Sequence, residues 1–201
     1  MNGYFIEGTR TWPVVEPEDE VAALRGVRSG AWVGGEEAPA LEREWAGYVG
    51  AQNCVATSSC THAIHLVLAA LGVGPGDEVV VPAYGFVGTV HPVAYLGATP
   101  RFADVDRETG MLDADRALAV MTDRTRAVVP VHLHGAPCPA AERLVSELRG
   151  SRVVVIEDAC QAHGARWGDR HVGTFGRAGC YSLNAVKNLP AGQGGLVVTD
   201  D

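Results

Sequence analysis

Along most of the chain, short apolar runs rich in β-branched residues alternate with segments whose apolar positions recur every three or four residues. The runs Cys54–Thr57, Glu78–Val81, Pro100–Val105, Ala127–Leu133 and Val153–Ile156 read as strands, followed by two late strands, Gly179–Leu183 and Gly195–Thr199. Helical spacing predicts helices over Thr61–Leu71, Val87–Leu96 (despite Pro92), Ala114–Met121 and Ala140–Leu148. Ahead of this rhythm come a polar start, Pro13 and Pro17, and a short helix from Glu18 to Val27. A turn follows at Trp32–Gly35, then an amphipathic helix over Leu41–Tyr48 with Leu41, Trp45 and Tyr48 at helical spacing. No internal repeat or low-complexity segment interrupts the pattern. Strands alternating with helices predict an α/β fold, with a mainly parallel sheet covered by helices on both faces. Ligands of such sheets bind beyond the C-terminal strand ends, so the residues placed there carry the functional reading.

Four strand ends carry candidate chemistry. After the first strand, Ser58-Ser59-Cys60-Thr61 opens a helix. Small residues, free N–H groups and hydroxyls there suit either a phosphate or a plain helix cap. After the second, Pro82-Ala83-Tyr84-Gly85-Phe86 offers an aromatic ring either to a flat ligand or to the core. After Val153–Ile156 comes Glu157-Asp158-Ala159-Cys160-Gln161-Ala162-His163. A carboxylate in that position needs a partner: Asp158 could meet a protonated ring nitrogen, with Gln161 and His163 nearby, or the segment is a solvated loop. After Gly179–Leu183, Lys187 precedes the glycine-rich Gly192–Gly195, which is no P-loop because no GK[ST] follows.

Composition sharpens one of these. Of 16 Lys plus Arg residues, Lys187 is the single lysine. A desolvated lysine can lose its proton near neutral pH and attack a carbonyl, which guanidinium does not do. In a chain that elsewhere uses Arg for positive charge, a lone Lys is a candidate for that chemistry. The net charge of -8 and the absence of a basic stripe argue against nucleic acid. No apolar stretch approaches the ~20 residues of a membrane helix, and Met1–Arg10, with Glu7 and Arg10, does not read as a signal peptide. Five cysteines with no CxxC spacing suit free thiols in a reducing cytoplasm better than disulfides or zinc. A metal site at His132, His134 and Cys138 is weaker than hydrogen-bonded or solvated histidines. Cys160 beside Asp158 is a poor nucleophile, since a neighbouring carboxylate raises a thiol's pKa. A dinucleotide fold is rejected, because Gly72-Val73-Gly74-Pro75-Gly76 precedes a strand and lacks GxGxxG spacing.

Taken in order, the segments SSCTHA (Ser58–Ala63), PGDEVVVPAYGFVGT (75–89), VPVHLHG (129–135), VIEDACQAHGARWGDRHVG (155–173) and CYSLNAVKNLPAGQGGLVVTD (180–200) resemble the DegT/DnrJ/EryC1/StrS family of pyridoxal 5'-phosphate (PLP)-dependent sugar aminotransferases. The resemblance runs from about Ser29 to Asp201. It implies the PLP-dependent transferase type I (aspartate aminotransferase-like) fold, with 1–30 as an N-terminal arm and 31–201 as a PLP-binding large domain. It implies Lys187 as the Schiff-base lysine and proton shuttle, Asp158 on the pyridine nitrogen, Gln161 near the ring hydroxyl and Phe86 on the ring face. Thr61 and Ser182, with backbone N–H groups around Cys60 and His62, would bind the phosphate. A dehydratase branch of the family has His at the Schiff-base position; Lys187 favours aminotransfer. The implied reaction takes an amine from Glu or Gln to a keto-sugar, nucleotide-linked, in a cytoplasmic homodimer. Arg166 and Trp167 are similar to enzymes making aminohydroxybenzoate, a second possibility on a cyclic ketone.

The sequence departs from the family pattern at Arg177, where an acidic residue is common, and at Gln193, where Glu is usual. Family members are about twice as long, so the resemblance implies a large domain incomplete at its C-terminus and no small domain. Three explanations stay open: a fragment, one half of a split enzyme with a complementing C-terminal chain, or a catalytically silent relic acting as a binding or scaffold subunit. The first two keep Lys187 functional in the intact assembly.

Overall fold

A computed structural model describes residues 13–201; the reading of Met1–Arg10 lies outside the described residues. In chain order the elements are α1 (Pro17–Ser29), α2 (Glu37–Val49), β1 (Asn53–Thr57), α3 (Cys60–Ala70), β2 (Glu78–Pro82), α4 (His91–Tyr95), β3 (Thr99–Ala103), α5 (Ala114–Ala119), β4 (Thr125–Val128), α6 (Ala140–Glu147), β5 (Val154–Asp158), β6 (Arg166–Trp167), β7 (Arg170–His171), β8 (Ala178–Ser182) and β9 (Gly195–Thr199). Seven strands form one sheet in the order β1-β9-β8-β5-β4-β2-β3, and β6 and β7 make a separate hairpin. The pairs β2–β3, β2–β4, β4–β5 and β5–β8 are parallel. Strand β9 is antiparallel to both β8 and β1. The segment 183–194 contains no helix to carry the chain across the sheet, so β9 must turn back beside β8. The sheet is therefore mainly parallel, with one reversed strand.

Period-two alternation distributes the strands between two covered faces. Val79, Val81 and Ile156 pack with Ile64 and Leu68 of α3 on one face. Val80, Val128 and Val155 pack with Leu144 of α6 on the other. A third cluster joins Trp45 of α2 to Tyr181 and Leu196. Each fully buried side chain of this size is worth about 1.5–3 kcal/mol. The same alternation in β5 sends Ile156 and Asp158 toward α3, and Val155 and Glu157 away from it. Helix α1 buries none of its residues; its Arg25 reaches α2 through an ion pair of 2.7 Å with Glu37.

Several expectations change. The strand expected over Ala127–Leu133 stops at Val128, because Pro130 has no N–H to continue the ladder. Pairing survives beyond it only as an isolated bridge between Val131 and Asp158. The helix expected over Val87–Leu96 splits into a 3-10 turn, Val87–Thr89, and the short α4, whose first turn accommodates Pro92. Strand β5 runs on through Glu157 and Asp158, which are strand residues rather than the start of a loop. The expectation of free thiols is wrong for two of the five cysteines: Cys60 and Cys160 form a disulfide, with Cα atoms 6.3 Å apart and 100 residues between them. Cys60 opens the helix after β1 and Cys160 follows β5, so parallel strands bring them to one edge. Sequence spacing carries no trace of that meeting. Among the described residues no helix is long and apolar enough to cross a membrane.

Candidate active site

Strands β1, β2, β5 and β8 all point their C-terminal ends to the same edge of the sheet. There a cavity of about 500 Å³ is lined by Cys60, Thr61, Phe86, Asp158, Gln161, Ser182 and Lys187, among others. Its size falls in the range of small-molecule sites. Seven of the eight residues selected from sequence thus meet in one place. His62 does not line it. The His62 N–H donates to the Ser59 hydroxyl at 3.2 Å, and its ring pairs with Ser58 beside a separate hollow that includes His65 and Leu66.

Asp158 closes β5 and is buried, 4% exposed. Its Oδ2 accepts the Thr89 hydroxyl at 2.6 Å, and its Oδ1 accepts the Cys160 N–H at 3.1 Å. Burial pushes this carboxyl above its ordinary pKa, while Thr89, the Cys160 N–H, His132 and Lys187 pull against that rise. A carboxylate has about four lone-pair sites, and these bonds use two. Capacity remains on the cavity side.

Lys187 lies in the loop between β8 and β9. Asn184 organises its start: the Asn184 carbonyl accepts the Lys187 N–H at 2.8 Å and the Asn184 Oδ1 accepts the Val186 N–H at 3.2 Å. Across the loop, Ala185 N–H donates to the Gly192 carbonyl at 3.0 Å and Ala191 N–H to that of Leu183 at 2.8 Å. Gly192 adopts φ 77°, which only glycine takes without strain. Among the described residues the Lys187 amine has no hydrogen bond or ion pair, only a longer-range attraction to Asp158 and a repulsion toward a charged His163.

Ser59 caps α3, and the N–H groups of Cys60 and Thr61, the first two of the helix, have no carbonyl one turn back. The helix dipole adds partial positive charge there. Strand β9 passes close by: a Cβ at Gly195 would stand 2.6 Å from the Cys60 nitrogen, so only glycine fits. Ser182 ends β8 beside this helix start, and its hydroxyl accepts the Asn184 N–H at 3.3 Å. Phe86 stands at the cavity mouth, 68% exposed. The Gln161 Oε1 accepts the His134 N–H at 2.6 Å, which leaves its NH₂ free to donate.

Residues 15–201 match the DegT/DnrJ/EryC1/StrS aminotransferase family. The chain belongs to this family. An aminotransferase from Psychrobacter cryohalolentis is 36% identical with a TM-score of 0.89, over 96% of this chain and 49% of that one. 3-Amino-5-hydroxybenzoic acid synthase is 35% identical with a TM-score of 0.90, over 96% and 50%. The PLP form of Spr1654 from Streptococcus pneumoniae, classed as a sugar aminotransferase, is 27% identical with a TM-score of 0.86, over 94% and 52%. The chain spans about half the length of the solved structures it matches.

The two departures from the family pattern have local partners. Arg177 pairs with Asp201 at 2.8 Å, and Gln193 accepts the Asn184 side-chain amide at 2.9 Å. Arg166 and Trp167 sit in the β6–β7 hairpin outside the cavity lining, bonded to the Asp169 carbonyl and to Glu142. His132 and His134 do not share a strand face. His132 is buried, accepting the Cys138 N–H at 2.9 Å on Nδ1 and reaching Glu157 at 2.9 Å through Nε2. His134 has φ 55° and is exposed. Both nitrogens of His132 are thus taken, as expected of a hydrogen-bonded histidine. Among the described residues the one close grouping of potential metal ligands is Cys60, Asp158 and Cys160, and its two sulfurs are bonded to each other. That bond, rather than a raised thiol pKa, removes Cys160 as a nucleophile. Sequence reasoning missed Thr89 and Asn184. Thr89 lies in a quoted motif three residues after Phe86, but its partner is 69 residues away.

Proposed function

We propose that this chain is the cofactor-binding part of a PLP-dependent aminotransferase that acts on a keto-sugar, nucleotide-linked, with Glu or Gln as amino donor. The observation that carries this reading is the meeting of an unpaired amine, a buried carboxylate with spare acceptor capacity, and a helix start with free N–H groups around one cavity. Those groups fit the chemical handles of PLP: an aldehyde, a ring nitrogen and a phosphate. In this reading residues 31–201 form the cofactor-binding large domain and 1–30 an arm. The working assembly is a cytoplasmic homodimer, completed by C-terminal sequence or by a complementing chain.

PLP would supply an electron-withdrawing ring that stabilises negative charge on the substrate carbon losing its proton. The protein's residues do the rest. Lys187 would hold the group through its amine, and its Nζ would take and return the proton of the substrate carbon. Asp158 keeps a proton on the ring nitrogen through charge and hydrogen bonding. Gln161 donates from its free NH₂ to the ring hydroxyl. Thr61, Ser182 and the Cys60 N–H bind phosphate oxygens at the positive end of α3. Phe86 covers one ring face and excludes water.

The similarity to 3-amino-5-hydroxybenzoic acid synthase supports a carbocyclic ketone as a second substrate reading; Arg166 and Trp167, being outside the cavity lining, add nothing to it. The test is to add PLP to the protein with and without a C-terminal complement, reduce with borohydride, and locate the label by peptide mass. Label on Lys187 supports the reading. Equal labelling in Lys187→Arg, or none even with the complement, overturns it, the latter in favour of a silent scaffold subunit.

A further inference from the structure

We propose that Thr89 is a positioning residue for the cofactor site: its buried hydroxyl fixes the Asp158 carboxylate in place and keeps it ready to accept a proton-bearing ring nitrogen. The inference rests on the PLP reading above.

Thr89 ends the 3-10 turn Val87–Thr89 and is 3% exposed. Its N–H donates to the Phe86 carbonyl at 3.1 Å, so one turn sets both the aromatic at the cavity mouth and the hydroxyl at its floor. The turn is tightly seated. A Cβ at Gly88 would lie 2.7 Å from the Phe86 ring and 2.8 Å from the Thr61 hydroxyl, so glycine lets the turn sit directly between these two side chains. From that seat the Thr89 hydroxyl meets Asp158 Oδ2 at 2.6 Å, the short distance of a charge-assisted bond.

The physical need for such a bond is plain. A buried carboxyl tends to stay protonated, and a neutral acid is a poor partner for a pyridinium. Thr89 opposes that tendency through the shorter of the two bonds to the carboxylate, 2.6 Å against 3.1 Å from the Cys160 N–H. The other groups facing Asp158 are His132 and Lys187, the Cys60–Cys160 disulfide, and Cys180 on the neighbouring β8. Glu157 precedes it but points to the opposite face. The Cys60–Cys160 disulfide has no proton to donate, and the thiol of Cys180 is held protonated by burial. A hydroxyl that donates from a fixed turn acts on the carboxylate form specifically.

The experiment compares the wild type with Thr89→Val, which keeps the shape and loses the donor, and Thr89→Ser, which keeps the donor. PLP affinity is titrated between pH 5 and 9, and the Asp158 carboxyl is followed by carbon NMR in the cofactor-free protein. Loss of one hydrogen bond to a charged group should weaken PLP binding in Thr89→Val about tenfold. The acid limb of its affinity profile should move to higher pH, together with the Asp158 resonance, and Thr89→Ser should restore both. A uniform weakening at every pH, or an unmoved Asp158 titration in Thr89→Val, would overturn the proposal. A wild type that takes up PLP on Lys187 while Thr89→Val binds it with the same affinity and profile overturns this proposal alone. A wild type that takes no label overturns the PLP reading and this inference with it.

Discussion

Glu157 and Asp158 are adjacent carboxylates on one strand, both buried, yet they occupy opposite chemical situations. Glu157, at 0% exposure, faces away from α3. It is surrounded by donors: the N–H groups of Gly173 at 2.8 Å, Phe175 at 2.6 Å and Gly176 at 2.7 Å, and His132 Nε2 at 2.9 Å. Cys138 donates to His132 Nδ1, so the proton on that ring sits on Nε2 and points at Glu157. Every demand of this carboxylate is met within the protein, and it ties the 173–176 loop to the sheet. Asp158 has two protein donors and turns its remaining lone pairs to a cavity. Burial alone therefore does not mark a candidate functional acid; an incomplete set of partners beside a cavity does.

The largest expected effect comes from breaking the satisfied member. Glu157→Ala strands three N–H groups and a histidine, and should cost about 3–5 kcal/mol of stability in denaturant unfolding. A loss below about 1 kcal/mol would show that the network is not structural. On the Asp158 side, replacing both Cys60 and Cys160 by Ser removes a crosslink spanning 100 residues, and should cost about 2–4 kcal/mol. Thiol labelling of the unreduced protein should find three free cysteines, Cys54, Cys138 and Cys180. Asp158→Asn should change stability by no more than about 1 kcal/mol, because a buried charge is relieved as one acceptor is lost. The same variant should lose PLP binding, so stability and cofactor affinity separate at this position as they do not at Glu157.

The smallest effect is a pH signature. The folded-state pKa of Asp158 is raised by burial, so the native state binds its proton more tightly than the unfolded chain. Unfolding then releases that proton, and stability falls as pH rises from about 3.9, the ordinary Asp value, to the raised folded value. Above that the penalty is constant, and below the ordinary value it is absent. Subtracting the Asp158→Asn stability profile from that of the wild type should expose this slope. A difference that is flat across the window would mean that Asp158 titrates normally.

Much of the fold was legible because period-two and helical spacing are local. The strands and helices around β1, α3, β2, β8 and β9 fall within a residue or two of expectation. The misses have local physical causes as well: Pro130 cuts a strand short, and the 87–96 helix breaks into a turn and a short helix around Pro92. The candidate site was legible to the extent that strand ends can be listed from the sequence. Lys187, Asp158, Thr61, Ser182, Phe86, Gln161 and Cys60 line one cavity because parallel strands send their ends to one edge. His62 missed it because its N–H is used in capping α3.

By itself the sequence determined the alternation of elements, the family, and the single lysine set in a loop after a strand. Those are properties of neighbours in the chain, written in spacing and residue type. Only the tertiary structure decided that the neighbouring Glu157 spends itself on the 173–176 loop and His132, that Thr89 reaches Asp158 across 69 residues, and that Cys60 meets Cys160 across 100. Such pairings depend on strand order and on the face each side chain takes, and neither is encoded within any one segment of the chain.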